Sequence, residues 1–115
     1  MAQGANHLAP TISTHVLDTE RGQPAEGIAV TLYRVADDGR ALRLTQALTD
    51  ADGRVRDLLE RPLTPGDYRL EFDLGTDDGR FFRRLAIDLH VDDVSRSYHV
   101  PMLLAPFSMT TYRGS

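Results

Sequence analysis

With 115 residues and 41% hydrophobic content, the chain suits one domain that buries roughly two-thirds of its unfolded surface and leaves no room for two independent lobes. A balance of 13 basic against 17 acidic residues gives a net charge of -4, too weak a field to hold a nucleic-acid backbone. All 13 basic residues are arginines and there is no cysteine, which removes lysine Schiff-base and general-base chemistry, disulfides, and thiolate nucleophiles or metal ligands.

Met1 to Thr11 reads as a flexible N-terminal tail that carries His7, to which no role is assigned, and the domain is placed from Ile12 to Ser115. The start of the chain shows neither a basic leader nor an apolar run, and no stretch reaches membrane-spanning length, so a soluble, cytoplasmic protein is expected. Gly and Pro punctuation recurs at short intervals without any long helical period, and predicts an all-β sandwich or barrel of about seven or eight strands.

The first strand is Ile12 to Leu17, where Ile12, Thr14 and Val16 share one face and Ser13, His15 and Leu17 the other. Ile28 to Arg34 and Leu42 to Thr49 follow, with Asp38-Gly39 and Asp52-Gly53 as pairs that hairpin turns favour. Val55 to Arg61 is compatible with one helical turn that Pro62 would stop. The cleanest strand is Asp67 to Asp73, where Tyr68, Leu70 and Phe72 alternate with Arg69 and Glu71. A further Asp78-Gly79 turn leads to Leu85 to Val91, again alternating, and Ser97 to Ala105 is the last long candidate.

Candidates for chemistry must project from the sheet rather than into the core. His15 does so by parity, and so does His99, which shares its face with Pro101 and Leu103 while Tyr98, Val100, Met102 and Leu104 form the core set. A lone strand histidine is more often a solvated or interface imidazole. His90, between Asp88 and Asp92, belongs to a solvated face and is given no role. Arg54 follows the Asp52-Gly53 turn and by itself would be a hydrated loop arginine. The end is denser: Tyr112-Arg113-Gly114-Ser115 gathers a phenol, a guanidinium, a hydroxyl and a carboxylate behind a stretch, Met102 to Phe107, too apolar to dangle.

With Ser13-Thr14-His15-Val16-Leu17-Asp18, the Asp52-Gly53-Arg54 turn, Tyr98-His99-Val100-Pro101 and the terminal Tyr112-Arg113-Gly114-Ser115, the sequence resembles the 5-hydroxyisourate hydrolases, the transthyretin-related enzymes of urate breakdown. The resemblance runs from about Ile12 to Ser115. It implies a transthyretin-like sandwich of two four-stranded sheets, a homotetramer with active sites in a channel between dimers, and cofactor-free, metal-free hydrolysis of the lactam in 5-hydroxyisourate. Carried over by position, His15, Arg54, His99 and Ser115 would be catalytic, with Tyr112, Arg113 and Gly114 joining His15, Arg54 and His99 in holding the substrate. Ser115 is not expected to be a nucleophile, because no His-Asp relay stands beside it.

The chain departs from the family pattern in four places. Ser97 stands where a histidine is common, Leu74 to Arg80 replaces a longer stretch that often holds a short helix, Arg83 replaces a proline after Phe81-Phe82, and Ala105 replaces a serine before Pro106. Two rivals share the fold: a carrier of small hydrophobic hormones, as transthyretin itself is, and a prealbumin-like adhesion or stalk domain. Two histidines, an arginine and a Tyr-Arg-Gly-Ser end favour the hydrolase over the carrier. A stalk domain would bring a secretion signal and tandem copies, neither of which the chain shows.

Overall fold

A computed structural model of the chain describes residues 9–76 and 79–114. In chain order the strands are β1 (Ile12–Asp18), β2 (Gln23–Pro24), β3 (Ala29–Val35), β4 (Ala41–Leu48), β5 (Arg54–Val55), β6 (Gly66–Asp73), β7 (Arg84–Val91), β8 (Tyr98–Ala105) and β9 (Ser108–Thr111). One sheet has the order β4-β3-β6-β7 and is wholly antiparallel. The other runs β2-β1-β8-β9, with the two-residue β5 also paired to β1. The all-β reading and the two-sheet sandwich hold, with β5 as an addition to the second four-strand path. Among the described residues no helix is long and apolar enough to cross a membrane.

The core lies between the sheets because each long strand alternates. On β6 the buried residues are Tyr68, Leu70 and Phe72, which meet Val30 and Leu32 of β3 and, from the opposite sheet, Ile12, Val16, Met102 and Leu104. Each such side chain contributes about 1.5–3 kcal/mol by leaving water. Thr14 occupies a core position on β1 without penalty, since its hydroxyl donates to the carbonyl of Val100.

β1 and β8 are parallel neighbours, Ile12 opposite Tyr98 through Asp18 opposite Leu104, although 86 residues separate Thr14 from Val100. The crossover that parallel pairing demands passes through the whole of the other sheet. On its remaining edge β1 meets β5 at Thr14 and His15, and β2 at Leu17 and Asp18.

Asp38-Gly39 closes the β3–β4 hairpin as the sequence predicts, with Gly39 N donating to Ala36 O. Asp52-Gly53 does not close a hairpin within one sheet. It carries the chain from β4 in one sheet to β5 in the other. Gly53 has φ +76°, and a Cβ there would stand 2.3 Å from the carbonyl oxygen of Val16, so glycine alone fits between turn and β1. Asp78 of the third Asp-Gly pair lies outside the described residues.

Val55 to Arg61 contains no helical turn. The Asp57 carboxylate accepts from the backbone N–H groups of Leu59 and Glu60, as a helix cap would, and from the Thr11 hydroxyl, but no helical turn follows it. Glu60 takes φ +56°, and the irregular bend lets Leu58 and Leu59, adjacent in sequence, both enter the core.

Candidate active site

The outer face of the β2-β1-β8-β9 sheet gathers the predicted residues by register. Ser13 pairs with His99, His15 with Pro101 across the parallel β1–β8 ladder, and His15 with Arg54 across the antiparallel β1–β5 contact. Residues directly opposite one another on antiparallel strands share a face, with Cβ atoms about 4.5–5.5 Å apart. His15, Arg54 and His99 are all half-buried, as the parity of their strands requires. A shallow concavity of about 190 Å³ is walled by Ser13, Thr14, Arg54, Arg56 and His99.

His99 is the most constrained of these groups. Its Nδ1 is hydrogen-bonded to Ser13 Oγ at 2.9 Å. Its backbone carbonyl accepts from Gly114 N at 2.8 Å, so the C-terminal segment is tied to β8 after β9 has ended. Gly114 lies so close over the imidazole that a Cβ would stand 2.8 Å from His99 Cδ2. Burial, then the neighbouring Arg54 guanidinium and His15 imidazole, hold the imidazole below its ordinary value of 6.5.

The turn before Arg54 is itself braced. Asp50 accepts from the backbone N–H groups of Asp52 and Arg54, and these bonds hold its carboxyl below the usual range. That fixes where β5 begins and hence where Arg54 stands against His15.

The terminal motif is divided between two places. Arg113 stacks its guanidinium 4.9 Å above the Tyr98 ring, and its charge is one of several influences that lower the Asp93 carboxyl, behind the hydrogen bonds from Ser95. Arg113 and the exposed Tyr112 therefore line a second cleft, of about 340 Å³, together with His90 and Tyr98. His99 belongs to both concavities, with Arg54 in one and Arg113 in the other. Ser115 lies outside the described residues. His90 is exposed and paired to Asp67 at 2.8 Å, and that hydrogen bond raises its pKa.

Sequence reasoning did not single out Ser13 or Arg56. Parity put Ser13 beside His15, but nothing local reveals that it faces His99. Arg56 follows β5 and pairs with Asp52 at 3.5 Å on the rim of the smaller concavity.

A model of the HIUase/Transthyretin family matches residues 12–114. The chain belongs to that family. The 5-hydroxyisourate hydrolase of Halalkalibacterium halodurans is 38% identical over 94% of this chain and 100% of its own length. That of Deinococcus radiodurans is 41% identical, covering 92% and 97% respectively. Among solved structures, Klebsiella pneumoniae 5-hydroxyisourate hydrolase superposes with a TM-score of 0.80 at 35% identity over 92% of this chain and 99% of that one. Sea bream transthyretin in complex with thyroxine superposes with a TM-score of 0.81 at 29% identity, over 89% and 92%. The family and fold expected from the four sequence motifs are thus both borne out.

Proposed function

We propose that the chain is a 5-hydroxyisourate hydrolase of urate degradation, opening the ring lactam to give 2-oxo-4-hydroxy-4-carboxy-5-ureidoimidazoline. The observation that carries this reading is His99: a half-buried imidazole kept neutral near pH 7 by burial and by Arg54, on the outer face of a fold shared with relatives that bear this activity. A neutral imidazole is the form that can take a proton from water, and a positioned base contributes about 10²- to 10⁴-fold.

In the proposed reaction the oxygen of water adds to the lactam carbonyl carbon while its proton passes to the imidazole of His99, with His15 on the neighbouring strand sharing the acid–base work. Arg54 donates to the carbonyl oxygen as negative charge develops there, an effect worth roughly 10²- to 10³-fold per donor in other enzymes. The ring C–N bond then breaks, and the leaving nitrogen takes the proton back. Tyr112, Arg113 and Ser115 hold substrate or water from the C-terminal side, and Gly114 lets the backbone approach His99. Half-buried Leu17 and Leu103, beside the histidines on this face, support a covered surface, and with it a homotetramer whose channel joins the two concavities.

Purified protein is expected to speed the loss of ultraviolet absorbance of freshly generated 5-hydroxyisourate above its spontaneous decay. No acceleration refutes the hydrolase reading. Thyroxine binding without hydrolysis would favour the carrier, the reading that the likeness to sea bream transthyretin supports. Light scattering tests assembly, and a fully active monomer refutes the channel.

A further inference from the structure

We propose that Ser13 is a positioning residue that accepts the Nδ1–H of His99 and so leaves the Nε2 lone pair of that ring as the base. The inference deepens the hydrolase reading and rests on it. Its geometry is in the register: Ser13 and His99 are direct partners across the parallel β1–β8 ladder, and Oγ stands 2.9 Å from Nδ1.

A neutral imidazole has one donor and one acceptor nitrogen, and the hydrogen bond at one decides what the other can do. Were the serine to donate to Nδ1, Nε2 would carry the proton and could accept none from water. With the serine oxygen as acceptor, the same bond persists before and after proton transfer, because the neutral base and the imidazolium both carry Nδ1–H. No partner has to turn as the reaction proceeds. The Gly114 N–H bond to the His99 carbonyl and the tight contact of Gly114 with the ring hold the imidazole against β1 from the other side.

The choice of a hydroxyl matters as much as its place. A carboxylate opposite Nδ1 would orient the ring too, but its charge would make the ring more basic. Around His99, Ser13 of β1, Arg54 of β5 and the following Arg56 line one concavity, Asp88 and His90 of β7 with Tyr112 and Arg113 of the C-terminal segment line the other, and His15 of β1 stands near enough to lower its titration. In that mainly cationic surround a neutral acceptor orients the base while leaving it unprotonated at neutral pH, which accords with the lowered pKa of His99.

The test compares Ser13→Ala, Ser13→Thr and Ser13→Asp with the wild type by the pH dependence of 5-hydroxyisourate hydrolysis and by ¹⁵N NMR of the imidazoles. Wild-type His99 should show the Nδ1–H tautomer. Ser13→Ala should mix the tautomers and lower kcat about tenfold or more, part of the roughly 10²- to 10⁴-fold that a positioned base contributes, with KM little changed. Ser13→Thr, which keeps the hydroxyl and suits a strand, should restore most of the rate. Ser13→Asp should raise the pKa of His99, moving the acid limb of the pH profile upward by about 1–3 units. An Nε2–H tautomer in the wild type, or a His99 titration that Ser13→Asp leaves in place, overturns the proposal. Failure of the hydrolase reading has a different signature: an inactive wild type whose His99 still shows the Nδ1–H tautomer.

Discussion

Replacing Gly114 with alanine adds one methyl group at the tightest contact near His99. The new Cβ would stand 2.8 Å from His99 Cδ2, 3.0 Å from Pro101 Cγ and 3.2 Å from Pro101 Cδ. Comfortable carbon–carbon separations are about 3.5–4.0 Å, so relief needs a shift of roughly 0.5–1 Å. Pro101 is buried in β8 and has little freedom to yield. The shift falls on the His99 ring or on the terminal segment, which the 2.8 Å bond from Gly114 N to His99 O holds in place. A misplacement of about 1 Å can cost an enzyme about 10²-fold, so kcat/KM for 5-hydroxyisourate should fall about 10- to 100-fold. Stability should change little: alanine narrows the unfolded ensemble by about 0.4–1 kcal/mol, which offsets part of the strain. Initial rates corrected for spontaneous decay, with a thermal melt of the same samples, test this. A Gly114→Ala enzyme with wild-type kcat/KM would show that the contact does not govern His99.

His99→Ala and Arg54→Ala should each lower the hydrolysis rate at least tenfold, well inside the contribution of a positioned base or charge-stabilising donor, with melting temperatures within a few degrees of wild type, since neither side chain belongs to the core. The pH profile carries a defined sign. A base works when unprotonated, and His99 is held below 6.5 first by burial, then by Arg54 and His15, so kcat/KM should rise with pH through a midpoint below 6.5. Arg54→Ala removes the guanidinium and should move the midpoint of the residual activity upward. Deleting residues 112–114 should abolish hydrolysis while circular dichroism still reports the folded sandwich. A truncated enzyme of full activity would refute a role for this segment.

Which residues face outward is legible in the chain alone. A period of two is a local property of the chain, so the alternation in Ile12–Asp18 and Tyr98–Ala105 places His15 and His99 on outward faces, and that in Gly66–Asp73 places Tyr68, Leu70 and Phe72 in the core. The Asp38-Gly39 hairpin was legible for the same reason: a tight turn is written in its own residues. Periodicity says nothing of which strands are neighbours.

Only the tertiary structure set β1 beside β8 across 86 residues and thereby brought Ser13 to His99, and only it showed that Asp52-Gly53 crosses between sheets rather than closing a hairpin. It also makes Val55 to Arg61 a bend rather than a helical turn, because two consecutive leucines enter the core and Glu60 takes φ +56°. Arg113 is the plainest case. The family resemblance implies that it holds substrate together with Arg54, yet the ring of Tyr98, fifteen residues earlier on β8, draws its guanidinium into the neighbouring cleft, leaving His99 as the group both concavities share.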